Sequence, residues 1–124
     1  MTKKIVMDLD ETISTKVKGL GYENALPRND VIEKMRQYRE MGFAICIFTA
    51  RNMRTFNGNL GKINAFTLPV IIEWLHSHNV PYDEIIVGKP WCGHDGFYVD
   101  DRALRPSEFL ELSVQEIEVL FSYE

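Results

Sequence analysis

The sequence predicts an α/β domain built on a parallel sheet, and three observations point there. Four short apolar runs are continuous rather than alternating, as in strands buried on both faces. Between them lie stretches whose apolar residues recur at helical spacing. The resulting order, strand then helix in alternation, is that of a right-handed parallel sheet.

The first strand is expected over Lys4 to Met7, and the stretch from Ile13 to Pro27 that follows has no periodicity. A helix comes next, with Asn29 or Asp30 as N-cap, Val31, Ile32, Met35 and Tyr38 on one face, and Gly42 just past its end. The second strand, Ala44 to Phe48, leads into another non-periodic stretch, Arg51 to Phe66. A loop of that length in so small a domain is more often functional than idle. Within it, Gly58-Asn59-Leu60-Gly61-Lys62 is too short for a P-loop and has Ile63 where Ser or Thr is required. A second helix is expected around Thr67 to His78, with Val70, Ile71, Trp74 and Leu75 on one face. Strands over Glu84 to Val87 and Phe97 to Val99 follow. The last helix starts near Ser113, where Ser113-Val114-Gln115-Glu116 has the form of a capping box.

At 124 residues the chain is expected to be a single domain spanning 1–124. A composition 45% hydrophobic and 26% charged is ordinary for a soluble protein, and a net charge of −4 weighs against non-specific nucleic-acid binding. Cys46 and Cys92 provide neither a disulfide framework nor zinc-type spacing. Met1-Thr2-Lys3-Lys4 runs straight into a strand, so no signal peptide is expected. No segment approaches the ~20 apolar residues of a membrane span. The expected location is the cytoplasm.

Ligands of open α/β sheets bind at the carboxyl ends of the strands. The first strand ends in Asp8 and Asp10, the second in Thr49, Ala50 and Arg51, the third in Gly88, Lys89 and Pro90, the fourth in Asp100 and Asp101. Four carboxylates, a hydroxyl and an ammonium therefore face one crevice. Like charges so placed repel, and a divalent cation removes that cost; carboxylate oxygens are the ligands Mg²⁺ prefers. The set suits phosphoryl transfer, in which cations, a hydroxyl and backbone N–H groups spread the charge of the moving phosphoryl group. Arg51 and Arg54, just past Thr49, are candidates for a substrate anion.

Asp8-Leu9-Asp10-Glu11-Thr12, Phe48-Thr49-Ala50, Gly88-Lys89-Pro90 and Val99-Asp100-Asp101 resemble, in order and spacing, the four motifs of the haloacid dehalogenase superfamily of phosphatases. Thr49 to Arg54 and Gly88 to Gly93 look more narrowly like small phosphatases of capsular polysaccharide synthesis. The resemblance implies a three-layer, Rossmann-like core with helices on both faces. Asp8 would be the nucleophile, forming an aspartyl-phosphate and ligating Mg²⁺. Asp10 would be the general acid/base, with its backbone carbonyl on the metal. Leu9, Thr49, Ala50 and Lys89 would surround the phosphate, and Asp100 and Asp101 would complete the metal site, one directly and one through water, with Asp101 the favoured direct ligand of the two. Thr12 would buttress the loop, and Glu11 replaces a glycine common at its place.

Neither Ile13 to Pro27 nor Arg51 to Phe66 is long enough for a folded cap domain. An open site covered by a loop or by another subunit is expected. His76 and His78, two apart on a helix, face different directions, so a shared metal is not expected. Trp91, Cys92, His94 and Asp95 lie beside the crevice, as leaving-group contacts or as loop packing. The expected function is a Mg²⁺-dependent phosphomonoester phosphatase acting on a sugar phosphate or related small precursor of surface polysaccharide, without a membrane partner. A phosphatase of nucleic-acid or nucleotide ends is the alternative enzyme. A phosphate-binding regulatory module is the alternative of another class; the order of the acids and Lys89 favours turnover.

Overall fold

The computed structural model describes residues 3–16 and 21–123, which fall into two compact units, Met1–Trp91 and Cys92–Glu124. Met1 and Thr2, part of the N-terminal reading, and residues 17–20 of the first non-periodic stretch lie outside the described residues. The fold class is the predicted one: a Rossmann-like α/β arrangement with a three-stranded parallel sheet flanked by helices.

In the first unit, β1 (Lys3–Met7), β2 (Phe43–Thr49) and β3 (Glu84–Val87) lie in the order β1-β2-β3. The register pairs Met7 with Ile47 and Ile47 with Ile85, so the strand ends finish nearly level. At the opposite end, the Asp83 carboxylate accepts from Ile45 N at 2.8 Å and from Arg39 at 2.8 Å, closing the start of β2.

Helix α1 (Asn29–Glu40) connects β1 to β2 and buries Val31, Ile32, Met35 and Tyr38, the face read from the sequence. Burial of such side chains contributes about 1.5–3 kcal/mol each. Its N-cap position is Arg28 rather than Asn29 or Asp30; Asp30 lies within the first turn, where its carboxylate still favours the positive end of the helix. Gly42, at φ +95°, ends it as expected.

The stretch from Arg51 to Phe66 is not all loop. Helix α2 (Leu60–Lys62) starts at Asn59, whose side chain accepts from Lys62 N, and passes through a π-helical turn (Ile63–Thr67) into α3 (Leu68–Ser77). Ile63, Thr67, Ile71, Trp74 and Leu75 are buried along it. Trp74 Nε1 donates to the Ala25 carbonyl at 2.8 Å, which ties down the segment before α1. His76 pairs with the Tyr82 hydroxyl at 2.8 Å while the His78 ring lies against Trp74, so the two do face apart.

Both crossovers step the same way across the sheet, and right-handed connections then put α1 and α3 on one face. Met7, Ile45 and Ile47 are accordingly buried, whereas Val6 is 57% and Ile86 46% exposed.

The second unit contains helices α4 (Pro106–Glu111) and α5 (Val114–Phe121). The capping box at Ser113 is present: Ser113 Oγ accepts from Glu116 N at 3.1 Å and Glu116 Oε1 from Ser113 N at 3.0 Å. The fourth strand is not. Residues 97–99 form no ladder, and Phe97 and Val99 are 79% and 88% exposed. A three-residue run becomes a strand only when it joins a ladder, and among the described residues the ladder comprises β1, β2 and β3.

Candidate active site

Directly after β1 the chain rolls into a tight turn. The Leu9 carbonyl accepts from Thr12 N, Ile13 N and Ser14 N at 3.2, 2.9 and 3.2 Å. Glu11 sits at φ +60°, the left-handed region that glycine adopts without strain, which accounts for the glycine common at this place. Leu9 and Ile13 are fully buried, so Leu9 has only its backbone to offer a ligand. Anchored on either side of Leu9, Asp8 and Asp10 keep about a third of their side chains open to solvent, 37% and 31%.

Each carboxylate has its own cation. Asp8 Oδ1 lies 3.6 Å from Lys89 Nζ, and its Oδ2 accepts from Thr12 Oγ1 at 2.9 Å. Thr12 therefore holds the carboxylate itself, with Oδ1 turned to the lysine. Asp10 is clasped from two sides by Arg51: Nη2 donates to Oδ1 at 2.6 Å and Nε to Oδ2 at 3.3 Å. The Arg51 side chain is only 1% exposed, its guanidinium lies 4.3 Å from the Tyr22 ring centre, and among the described residues its buried Nη1 has no hydrogen-bond partner. Burial, and after it the Asp10 charge, push the Tyr22 phenol above its ordinary pKa.

The end of β2 supplies Thr49, 1% exposed, whose hydroxyl accepts from Arg51 N at 3.1 Å. Its carbonyl accepts from Lys89 N at 3.1 Å, which fixes the lysine's backbone to the strand that carries the threonine. Gly88, at φ +91°, makes that approach possible; a Cβ there would stand 2.7 Å from Leu60 Cδ2. Ala50 accepts from Met53 N at 3.0 Å and starts the following loop, in which Asn52 Oδ1 accepts from Thr67 Oγ1 at 2.7 Å. Arg54 and Lys62 are exposed on that loop and helix.

The first unit thus brings together Asp8, Asp10, Thr49, Arg51 and Lys89 at the strand ends. Asp100 and Asp101 belong to the second unit, where Asp100 Oδ1 accepts from Arg102 N at 2.9 Å and both are exposed. Among the described residues, no three or more His, Cys, Asp or Glu side chains cluster as a metal site. The carboxylate pair itself fits Mg²⁺, which is commonly held by one or two carboxylates together with water and substrate phosphate. Two features escaped the sequence. The Arg51–Asp10 clasp joins residues 41 apart and has no local signature, and Tyr22 stands in a stretch without pattern. A shallow groove lined by Arg36, Arg39, His76 and Asn79 lies at the amino ends of the strands, away from these groups.

No protein-family model and no curated protein matches the chain. Among solved structures, two chains of the Pnkp1/Rnl/Hen1 RNA repair complex resemble it at 19% and 18% identity, with TM-scores of 0.52 and 0.51. Each match covers 89% of this chain but only 34% and 32% of those chains, and at such identity the likeness is one of fold. The crystal structure of an MCSG target from Vibrio cholerae is 60% identical over 98% of both chains, with a TM-score of 0.94. At that identity and coverage, this chain belongs to the same family as the Vibrio cholerae protein.

Proposed function

We propose that the chain is a phosphomonoester phosphatase working through an aspartyl-phosphate on Asp8. The observation that carries this reading is the pair of carboxylates at the end of β1, one facing Lys89 and the other Arg51, with Thr49 on the neighbouring strand. An Asp8 oxygen attacks the phosphorus, the bond to the leaving oxygen breaks, and Asp10 gives that oxygen its proton. Water then attacks the phosphorylated Asp8, Asp10 takes the water's proton, and inorganic phosphate departs. Lys89 stabilises the anionic phosphoryl oxygens, and the Thr49 hydroxyl, already an acceptor from Arg51 N, keeps its own proton to donate. Nη1 of Arg51, without a partner among the described residues, is a donor for a further substrate oxygen.

Asp8 and the Asp10 carbonyl would hold Mg²⁺, with Asp100 and Asp101 added as the motif resemblance implies, and the ion would screen the phosphate dianion from the carboxylate nucleophile. The substrate we infer is a sugar phosphate or similar small precursor of surface polysaccharide, supported by the motif resemblance around Thr49 and Gly88. A second reading, a phosphatase of RNA or DNA ends, is favoured by the RNA repair complex among the fold neighbours and by exposed Arg54 and Lys62. Phosphate release from an aryl phosphate, with and without chelator, tests the chemistry. A panel of sugar phosphates, nucleotides and 3′- or 5′-phosphorylated oligonucleotides separates the substrates. Undiminished release in excess chelator would remove the metal, and no release from any substrate would remove the phosphatase.

A further inference from the structure

The geometry points to Tyr22 as the wall on which the leaving group rests, and so to esters whose leaving oxygen is bonded to a sugar ring. This role rests on the phosphatase reading above and names a substrate contact within it.

Tyr22 is set at the site by its own segment and by the residues that segment touches. Ser14 and Pro27 form an antiparallel bridge, with Thr15 N donating to the Leu26 carbonyl and Arg28 N to the Ile13 carbonyl, each at 2.8 Å. The stretch between β1 and α1 is thereby closed at its base, just past Asp10. Within it stands a 3₁₀ turn, Tyr22–Asn24, which ends at Ala25. Ala25 is buried, and its carbonyl accepts from Trp74 Nε1 on α3 at 2.8 Å. Ahead of that anchor, the Tyr22 ring lies on the Arg51 guanidinium at 4.3 Å. Arg51 is itself buried and bound to both oxygens of Asp10. The ring is therefore held in place before substrate arrives, and an anchor already ordered loses little freedom on binding.

Its position determines what it meets. The guanidinium holds Asp10 at its edge and Tyr22 on its face, so the width of that one group separates the ring from the carboxylate. To give the leaving oxygen a proton, Asp10 comes within about 2.6–3.2 Å of it. The first atoms bonded to that oxygen then emerge beside Asp10, next to Tyr22. Although Arg51 covers one face of the ring, 46% of Tyr22 remains open to solvent.

An aromatic face with a hydroxyl at its rim suits a sugar. The C–H face of a pyranose is apolar, its hydrogens are slightly positive, and it packs on the negative face of an aromatic ring. The phenol can at the same time donate to or accept from a sugar hydroxyl. In a nucleotide the base stands beyond the ribose, a whole ring further from the leaving oxygen. An acyclic ester leaves the aromatic face uncovered. The contact is thus made by a sugar ring bonded to the leaving oxygen itself.

The test compares glucose, mannose and galactose phosphorylated at the anomeric oxygen with glycerol phosphate and adenosine monophosphate, on the full chain. With the best of the three sugar phosphates, Tyr22→Ala is expected to lower kcat/KM about tenfold, chiefly through KM. Glycerol phosphate should stay within about twofold, and Tyr22→Phe should restore most of the loss by returning the ring. Equal losses on sugar and glycerol esters overturn the proposal, because Tyr22 would then act only by steadying Arg51 and Asp10. A loss confined to adenosine monophosphate overturns it too, by giving the ring a nucleobase. Calorimetry reads the contact without turnover: the same sugar phosphate should bind Asp8→Asn about tenfold more tightly than Asp8→Asn/Tyr22→Ala. Equal or absent binding overturns the contact. A wild type that releases phosphate from none of the esters removes the phosphatase reading, and titration of the sugar phosphates into wild type and Tyr22→Ala then decides the sugar contact alone.

Discussion

Replacing Arg51 with alanine removes a guanidinium that is 1% exposed and grips both oxygens of Asp10, and the cost follows from its surroundings. Deleting one partner of a buried ion pair costs about 3–5 kcal/mol, because the other charge stays behind unpaired. Asp10 keeps 31% of its side chain in solvent and can partly rehydrate, which places the effect near ~3 kcal/mol. Losing the stack on Tyr22 adds about 0.5–1 kcal/mol. The sum is a large share of the roughly 5–15 kcal/mol that holds a domain folded. In urea unfolding with a slope of about 2 kcal/mol/M it lowers the midpoint by roughly 1.5–2 M. Arg51→Lys should fall between, since a lysine keeps the charge but not the two-pronged geometry. The decisive measurement is the double-mutant cycle with Asp10→Ala, expected to give a coupling of about 1.5–3 kcal/mol. A coupling below ~0.5 kcal/mol, the level at which independent sites add, would refute the assignment of this stability to the pair.

Asp8→Asn should abolish phosphate release without lowering the free energy of unfolding by more than about 1–2 kcal/mol, whereas Asp10→Asn should slow both half-reactions and let phosphorylated protein accumulate in a rapid quench. A near-normal rate for Asp8→Asn would exclude the covalent route. Arg54→Ala, on the exposed loop, should raise KM for a substrate with a second anionic group by about 1.5–3 kcal/mol in kcat/KM and leave an aryl phosphate nearly untouched; equal losses on both would assign Arg54 to the reacting phosphate. Gly88→Ala meets both a φ of +91° and Leu60 Cδ2 at 2.7 Å, and should lose about 1–3 kcal/mol in thermal unfolding, with Leu60→Ala recovering part of it. The Glu116 carboxyl is held below its usual range by its bonds to Ser113, so the capping of α5 is complete above that range and is lost as pH falls through the lowered value. The protection factor of the Ser113 amide should fall over that window, and Glu116→Gln should flatten the dependence.

The parallel strands were legible because they are buried: a continuous run such as Ile45-Cys46-Ile47 has no other stable use in a chain this size. Helices α1 and α5 were legible because local bonds and spacing make them, in Val31-Ile32-Met35-Tyr38 and in the Ser113–Glu116 reciprocal cap. The helix from Leu60 was missed although Asn59 caps it and Leu60, Ile63 and Thr67 share one side, because two flanking glycines and a run of polar residues hide that spacing. At the site, sequence order alone placed Asp8, Asp10, Thr49 and Lys89 at adjoining strand ends, since strand direction fixes which end each residue takes. It also implied that two bare carboxylates require a cation. Tertiary structure changed that balance by folding Lys89 onto Asp8 and Arg51 onto Asp10, contacts between residues far apart in the chain that no local pattern encodes. The fourth strand failed for the same reason in reverse. Phe97-Tyr98-Val99 has the residues of a strand, but a strand is a relation to a neighbour, and its neighbour is chosen by which edge is open to it.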